Sequence, residues 1–122
     1  MTVLIFLGGL MGAAGVALLA AAAHAAPGAG LDSAGQILLF HAAAVLGATA
    51  VVQNSLAFRP LALAAVVGFV VGALLFSGDL TLRALSGHRL FPYAAPTGGT
   101  VLIVGWLGLA LAAVISWARG SR

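Results

Sequence analysis

Charge is almost missing from long stretches of this chain, and no other feature limits its fold so strongly. The charged side chains among the 122 residues are Asp32, Arg59, Asp79, Arg83, Arg89, Arg119 and Arg122. They leave uncharged runs over residues 1–31, 33–58, 60–78 and 90–118. A helix rises 1.5 Å per residue, so about 20 apolar residues cross the ~30 Å hydrocarbon layer of a bilayer. Soluble domains carry about 25% charged residues; here the fraction is 6%, with 63% hydrophobic. The chain therefore reads as an integral membrane protein of the all-α class, because helices of this length satisfy their own backbone polar groups in lipid.

Punctuation between the runs predicts one domain of four antiparallel transmembrane helices in a compact bundle, with spans at about 3–25, 34–53, 60–84 and 97–118. "APGAGLDSAG" (26–35) is a Pro/Gly-rich break in which Asp32 or Ser33 is placed to cap the second helix. Gln53-Asn54 closes that helix, and Arg59-Pro60 opens the third, with Pro in a first turn where its missing N–H costs nothing. "SGHRLFPYAAP" (86–96) is the last loop, and "WARGSR" ends the chain with an interfacial Trp and two Arg anchors. Ala23-His24-Ala25 resembles a leader cleavage site, but the segment before it has no Lys or Arg, so an uncleaved first helix is expected. Short connections make sequence neighbours pack antiparallel. Gly8 with Gly12, and Gly68 with Gly72, have the spacing that lets helices approach closely in lipid.

The basic residues are all Arg and sit at segment ends. A nucleic-acid partner is not expected, because they form no continuous stripe; topology and anionic headgroups account for them. Arg59, Arg119 and Arg122 fall on one side and Arg83 and Arg89 on the other, which favours both termini in the cytoplasm. The absence of cysteine excludes a disulfide framework and thiol chemistry. No nucleophile–base–acid set, phosphate loop or dinucleotide fingerprint is present, so no enzyme activity, metal or cofactor is expected.

Antiparallel connectivity sends His24, Asp32, His41, Asp79, Arg83, His88, Gly98 and Gly99 towards one face of the membrane. Asp79 and Arg83 stand four residues apart and can meet on one helix face. Two readings follow: a self-neutralised helix end, or one wall of a polar cleft formed with His24 and His41. His24 and His41 invite the same comparison between structural hydrogen bonding, proton or ligand contact, and haem or metal ligation. Gly98 and Gly99 either permit close packing or let a ligand approach the backbone.

"GALLFSGDLTLRALSG" followed by "APTGGTVLIVGW" resembles the signature of the YgdD-like family of small inner-membrane proteins, a domain of unknown function (423). The resemblance rests on Gly72, Leu75-Phe76-Ser77-Gly78, Ala84-Leu85, Pro96, Gly98-Gly99 and Gly105-Trp106, with His24 and His41 upstream. It implies four helices in a bacterial inner membrane and no established activity. Asp79 stands where that family usually has a small polar residue, and Ala95 where it has Thr. Together these readings predict a non-enzymatic protein in the lipid bilayer that associates with itself or with a membrane-protein partner. The alternative is a minimal transporter or small-ligand bundle using the polar cleft.

Overall fold

The computed structural model describes residues 1–25 and 27–120; Arg122, one of the two terminal anchors, lies outside them. Four helices are formed among the described residues: α1 (Thr2–His24), α2 (Leu31–Gln53), α3 (Arg59–Ser86) and α4 (Ala94–Gly120). All four are long and apolar enough to cross a membrane. At 1.5 Å per residue, the 23 residues of α1 and of α2 extend ~34 Å and the 28 residues of α3 extend ~42 Å.

The helix ends have local causes. Gly30 adopts φ +83°, a left-handed conformation that only Gly enters cheaply, and α2 starts directly after it without a side-chain cap. Asp32 and Ser33 are therefore inside the first turn and do not cap it; Asp32 still sits where the helix dipole favours an acid. Pro60 occupies the first turn of α3, which closes on Gly87 at φ +74°. Helix α4 begins at Ala94, earlier than the Pro-rich sequence suggests, because Pro96 is accommodated within the first turn.

The helices pack in chain order, α1 on α2, α2 on α3 and α3 on α4, while α1 reaches α3 only slightly. Contact registers show that each pair is antiparallel: Gly8 meets Leu46 and Gly15 meets Gly35, Ala34 meets Ser77 and His41 meets Phe69, and Gly72 meets Gly98 and Gly105 meets Phe69. Met11, Leu38, Val45, Val66, Phe69, Ala73 and Leu102 form the main core. A smaller cluster of Val52, Ala57, Ala62 and Ala112 lies at the α2–α3 turn. There the Phe58 N–H donates to the Ala112 carbonyl at 2.9 Å, and the Arg119 guanidinium stacks 4.3 Å from the Phe58 ring centre. Phe6, Leu10 and Val16 on α1, and Ile103, Leu107 and Leu111 on α4, are exposed as lipid-facing residues must be.

Close approach is concentrated at two helix crossings. A Cβ added to Gly15 would lie 2.9 Å from the Leu39 amide nitrogen, and one on Gly35 would lie 3.0 Å from the Gly15 carbonyl oxygen. A Cβ on Gly98 would lie 2.7 Å from both the Gly72 carbonyl oxygen and the Phe76 amide nitrogen. Gly72 is equally confined, with the Gly98 carbonyl oxygen at 2.9 Å. These are backbone-to-backbone contacts, which no side-chain rotation can relieve. Gly12 and Gly68 have ordinary room: the nearest atoms to an added Cβ stand at 3.7 and 3.8 Å.

Candidate functional site

The polar groups separate into two nodes at different depths. The first is built on the last turns of α3. Asp79 is buried, and its Oδ2 accepts a hydrogen bond from Arg83 Nη2 at 2.9 Å. Its Oδ1 accepts the Leu90 N–H at 3.0 Å. One carboxylate thus neutralises the helix end and also holds the α3–α4 loop onto it. Arg83 remains partly exposed, with 38% of its side-chain surface open, while Asp79 is covered. Two residues before Asp79, Ser77 Oγ donates to the Ala34 carbonyl at 2.8 Å and ties α3 to the start of α2.

The second node lies halfway along the helices. His41 Nδ1–H donates to the Ile37 carbonyl at 2.8 Å, which leaves Nε2 as acceptor for the Trp106 indole N–H at 3.2 Å. A donor at one ring nitrogen and an acceptor at the other define a neutral imidazole. Phe69 completes the cluster, with ring centres 5.7 Å from His41 and 4.6 Å from Trp106. Three helices are joined here by rings whose polar atoms face one another and not the lipid.

The structure does not bring His24, His41 and Asp79 into one cleft. The span expected at about 34–53 puts His41 seven residues inside, ~10 Å deep; because α2 begins at Leu31, it is ten residues inside, or ~15 Å deep. Phe69 lies level with His41, and Asp79 is ten residues further along α3, about 15 Å nearer the membrane surface. His24 is the exposed last residue of α1, on the loop side of the bundle. His24 and His41 are therefore also separated by about 16 Å along the bundle, too far to ligate one iron. Gly72 and Gly98 are used by the α3–α4 crossing; a Cβ added to Gly99 would meet the Phe76 ring only at 3.8 Å, and Gly68 is not closely packed. Sequence reasoning overlooked Trp106 as the partner of His41. Its single ring donor needs an acceptor when it turns inwards, and that was the signal available.

A double-mutant cycle tests this node. His41→Ala and Trp106→Phe should each destabilise the protein, and their coupling should be about 1 kcal/mol, the usual net value of one hydrogen bond. Unfolding of the four proteins in detergent measures it; strictly additive losses would show that the indole–imidazole bond contributes nothing.

Four membrane-length helices with short connections, an ion pair at one end and a ring cluster at mid-depth define a small multi-pass helical membrane protein. The chain belongs to the DUF423 family, described as a protein of unknown function, which it matches over residues 11–99. It is also 33% identical over 80 residues to a UPF0382 membrane protein of Haemophilus influenzae, an alignment covering 66% of this chain and 62% of that relative. The chain thus spans less than two thirds of the length of the relative it matches. No solved structure matches it significantly. The family match includes both tight glycine crossings, His41 and Asp79, and stops before Trp106.

Proposed function

We propose that this chain is a non-enzymatic protein of a bacterial inner membrane that works by lateral helix–helix association with a second copy of itself or with a larger membrane complex. One observation carries the reading: a shallow apolar groove of about 140 Å³ on α3 and α4, lined by Ala64, Gly68, Val104, Gly105 and Gly108 among others. A Cβ on Gly68 or Gly108 would meet no atom closer than 3.8 Å, so internal packing does not require glycine at either place. Each nevertheless weakens its helix by about 0.5–1 kcal/mol relative to Ala. In lipid, association depends on close backbone approach, which such a groove permits. The chemistry-bearing groups support the same reading, because both nitrogens of His41 and both oxygens of Asp79 are engaged within the fold. The Arg distribution favours both termini on the cytoplasmic side.

Native mass spectrometry in lipid nanodiscs tests the proposal. Wild type is expected to appear as an oligomer or with a bound partner, and Gly68→Leu combined with Gly108→Leu as a monomer with an unchanged helical spectrum. A monomeric wild type, or a filled groove that leaves mass and partners unaltered, would refute it.

A further inference from the structure

The Arg83 end of the bundle holds a recess that the ion pair does not fill. It has a volume of about 410 Å³ and is lined by Ala29 and Gly30 from the α1–α2 turn and by Leu80, Arg83 and Ala84 from α3. Arg83 spends one hydrogen bond on Asp79 through Nη2, and its Nε–H is buried without an acceptor among the described residues. A guanidinium offers five N–H donors in a planar fork suited to the oxygens of a phosphate. Across the recess, Gly30 starts a 23-residue helix with no side-chain cap, and a Cβ there would meet nothing within 4 Å, so the approach to its first turn is open. Asp32 in that first turn offsets the positive end of the helix, so the attraction for an anion rests on Arg83. Arg89, in the α3–α4 loop next to Leu90, whose N–H is docked on Asp79, adds a second positive charge at this end of the bundle. Arg83 is fourteen residues beyond Phe69 along α3, about 21 Å from the mid-depth ring cluster, so the recess lies past half of a ~30 Å hydrocarbon layer, at headgroup level.

We propose that this recess is a phosphate-binding site for the headgroup of an anionic phospholipid, with Arg83 as the phosphate ligand and Arg89 as an accessory cation. Asp79 then has two effects on one residue: it aims the guanidinium, and it competes with the phosphate for it. The recess is distinct from the α3–α4 groove, so this site and lateral association stand or fall separately.

The opposing roles of Asp79 and Arg83 supply the test. Full-length protein in mild detergent is titrated with phosphatidylglycerol or phosphatidylcholine and the bound lipid counted by native mass spectrometry. The expected result is selective retention of phosphatidylglycerol, weakened at least tenfold by Arg83→Gln and tightened severalfold by Asp79→Asn. Asn keeps an acceptor for Leu90 N–H but removes the competing charge. A purely structural pair predicts the same sign for both variants. Equal binding by wild type and Arg83→Gln, or weaker binding by a folded Asp79→Asn, overturns the site. If Arg83→Gln does not fold, Asp79→Asn decides alone: tightening supports the site, and unchanged or weaker binding removes it. Inorganic phosphate at millimolar concentration separates the sources. Failure to displace the lipid shows that the headgroup is recognised with its chains, whereas displacement by phosphate assigns the site to the free anion and overturns the lipid assignment.

Discussion

Replacing Gly98 with Leu is expected to separate α3 from α4 and to cost on the order of 3 kcal/mol or more, at the upper end of overpacking effects. The new Cβ would sit 2.7 Å from a carbonyl oxygen and an amide nitrogen of α3. Relief requires the whole helix to move, which withdraws Leu102 from the core it shares with Phe69 and Ala73. Unfolding in detergent, followed by circular dichroism, provides the measurement. Gly9→Ala and Gly47→Ala are the controls, since an added Cβ at either place meets nothing within 4 Å. These should leave stability unchanged or raise it by up to about 1 kcal/mol through the better helix propensity of Ala. A Gly98→Leu protein that unfolds with the wild-type midpoint would mean that the helices do not touch at this crossing.

The second large effect is expected from Asp79→Ala. Removing this carboxylate leaves Arg83 without its partner and the Leu90 N–H without its acceptor. Breaking a buried pair costs about 3–5 kcal/mol. Here Arg83 is partly exposed and can extend towards headgroups, so about 2 kcal/mol is expected. The loss should be local: hydrogen–deuterium exchange should accelerate over residues 87–93 and remain slow at the His41 node. Uniform acceleration along all four helices would show that Asp79 holds more than the loop. Asp79→Asn, which preserves the Leu90 contact, should lose less than Ala, and the difference between the two isolates the loop bond from the charge.

The four membrane-length helices were legible because seven charges in 122 residues leave few places to turn. Asp79 and Arg83 were legible as a pair because i, i+4 spacing is a property of one helix, independent of any neighbour. What depended on register between helices was not. Gly8 with Gly12 and Gly68 with Gly72 have the familiar spacing within a helix, but the tightest contacts join Gly15 to Gly35 and Gly72 to Gly98 across two helices. In a chain with 17 glycines, sequence does not indicate which of them meet. The depth of His41 also depends on where its helix starts. A left-handed Gly30 starts α2 at Leu31, so the ring lies beside Trp106 and Phe69 and away from the Asp79 end. A difference of three residues in a helix start moves a side chain by nearly one turn, which changes its neighbours.

The antiparallel four-pass arrangement positions both proposed surfaces, and site-directed labelling tests it most directly. The chain contains no cysteine, so single substitutions Ala29→Cys, Ser55→Cys and His88→Cys each report one turn without background. A membrane-impermeant maleimide applied to sealed vesicles of known orientation should label Ala29→Cys and His88→Cys from the same side and Ser55→Cys from the other. Labelling of Ser55→Cys together with His88→Cys, or of Ala29→Cys and His88→Cys from opposite sides, would contradict the arrangement on which both proposed surfaces depend.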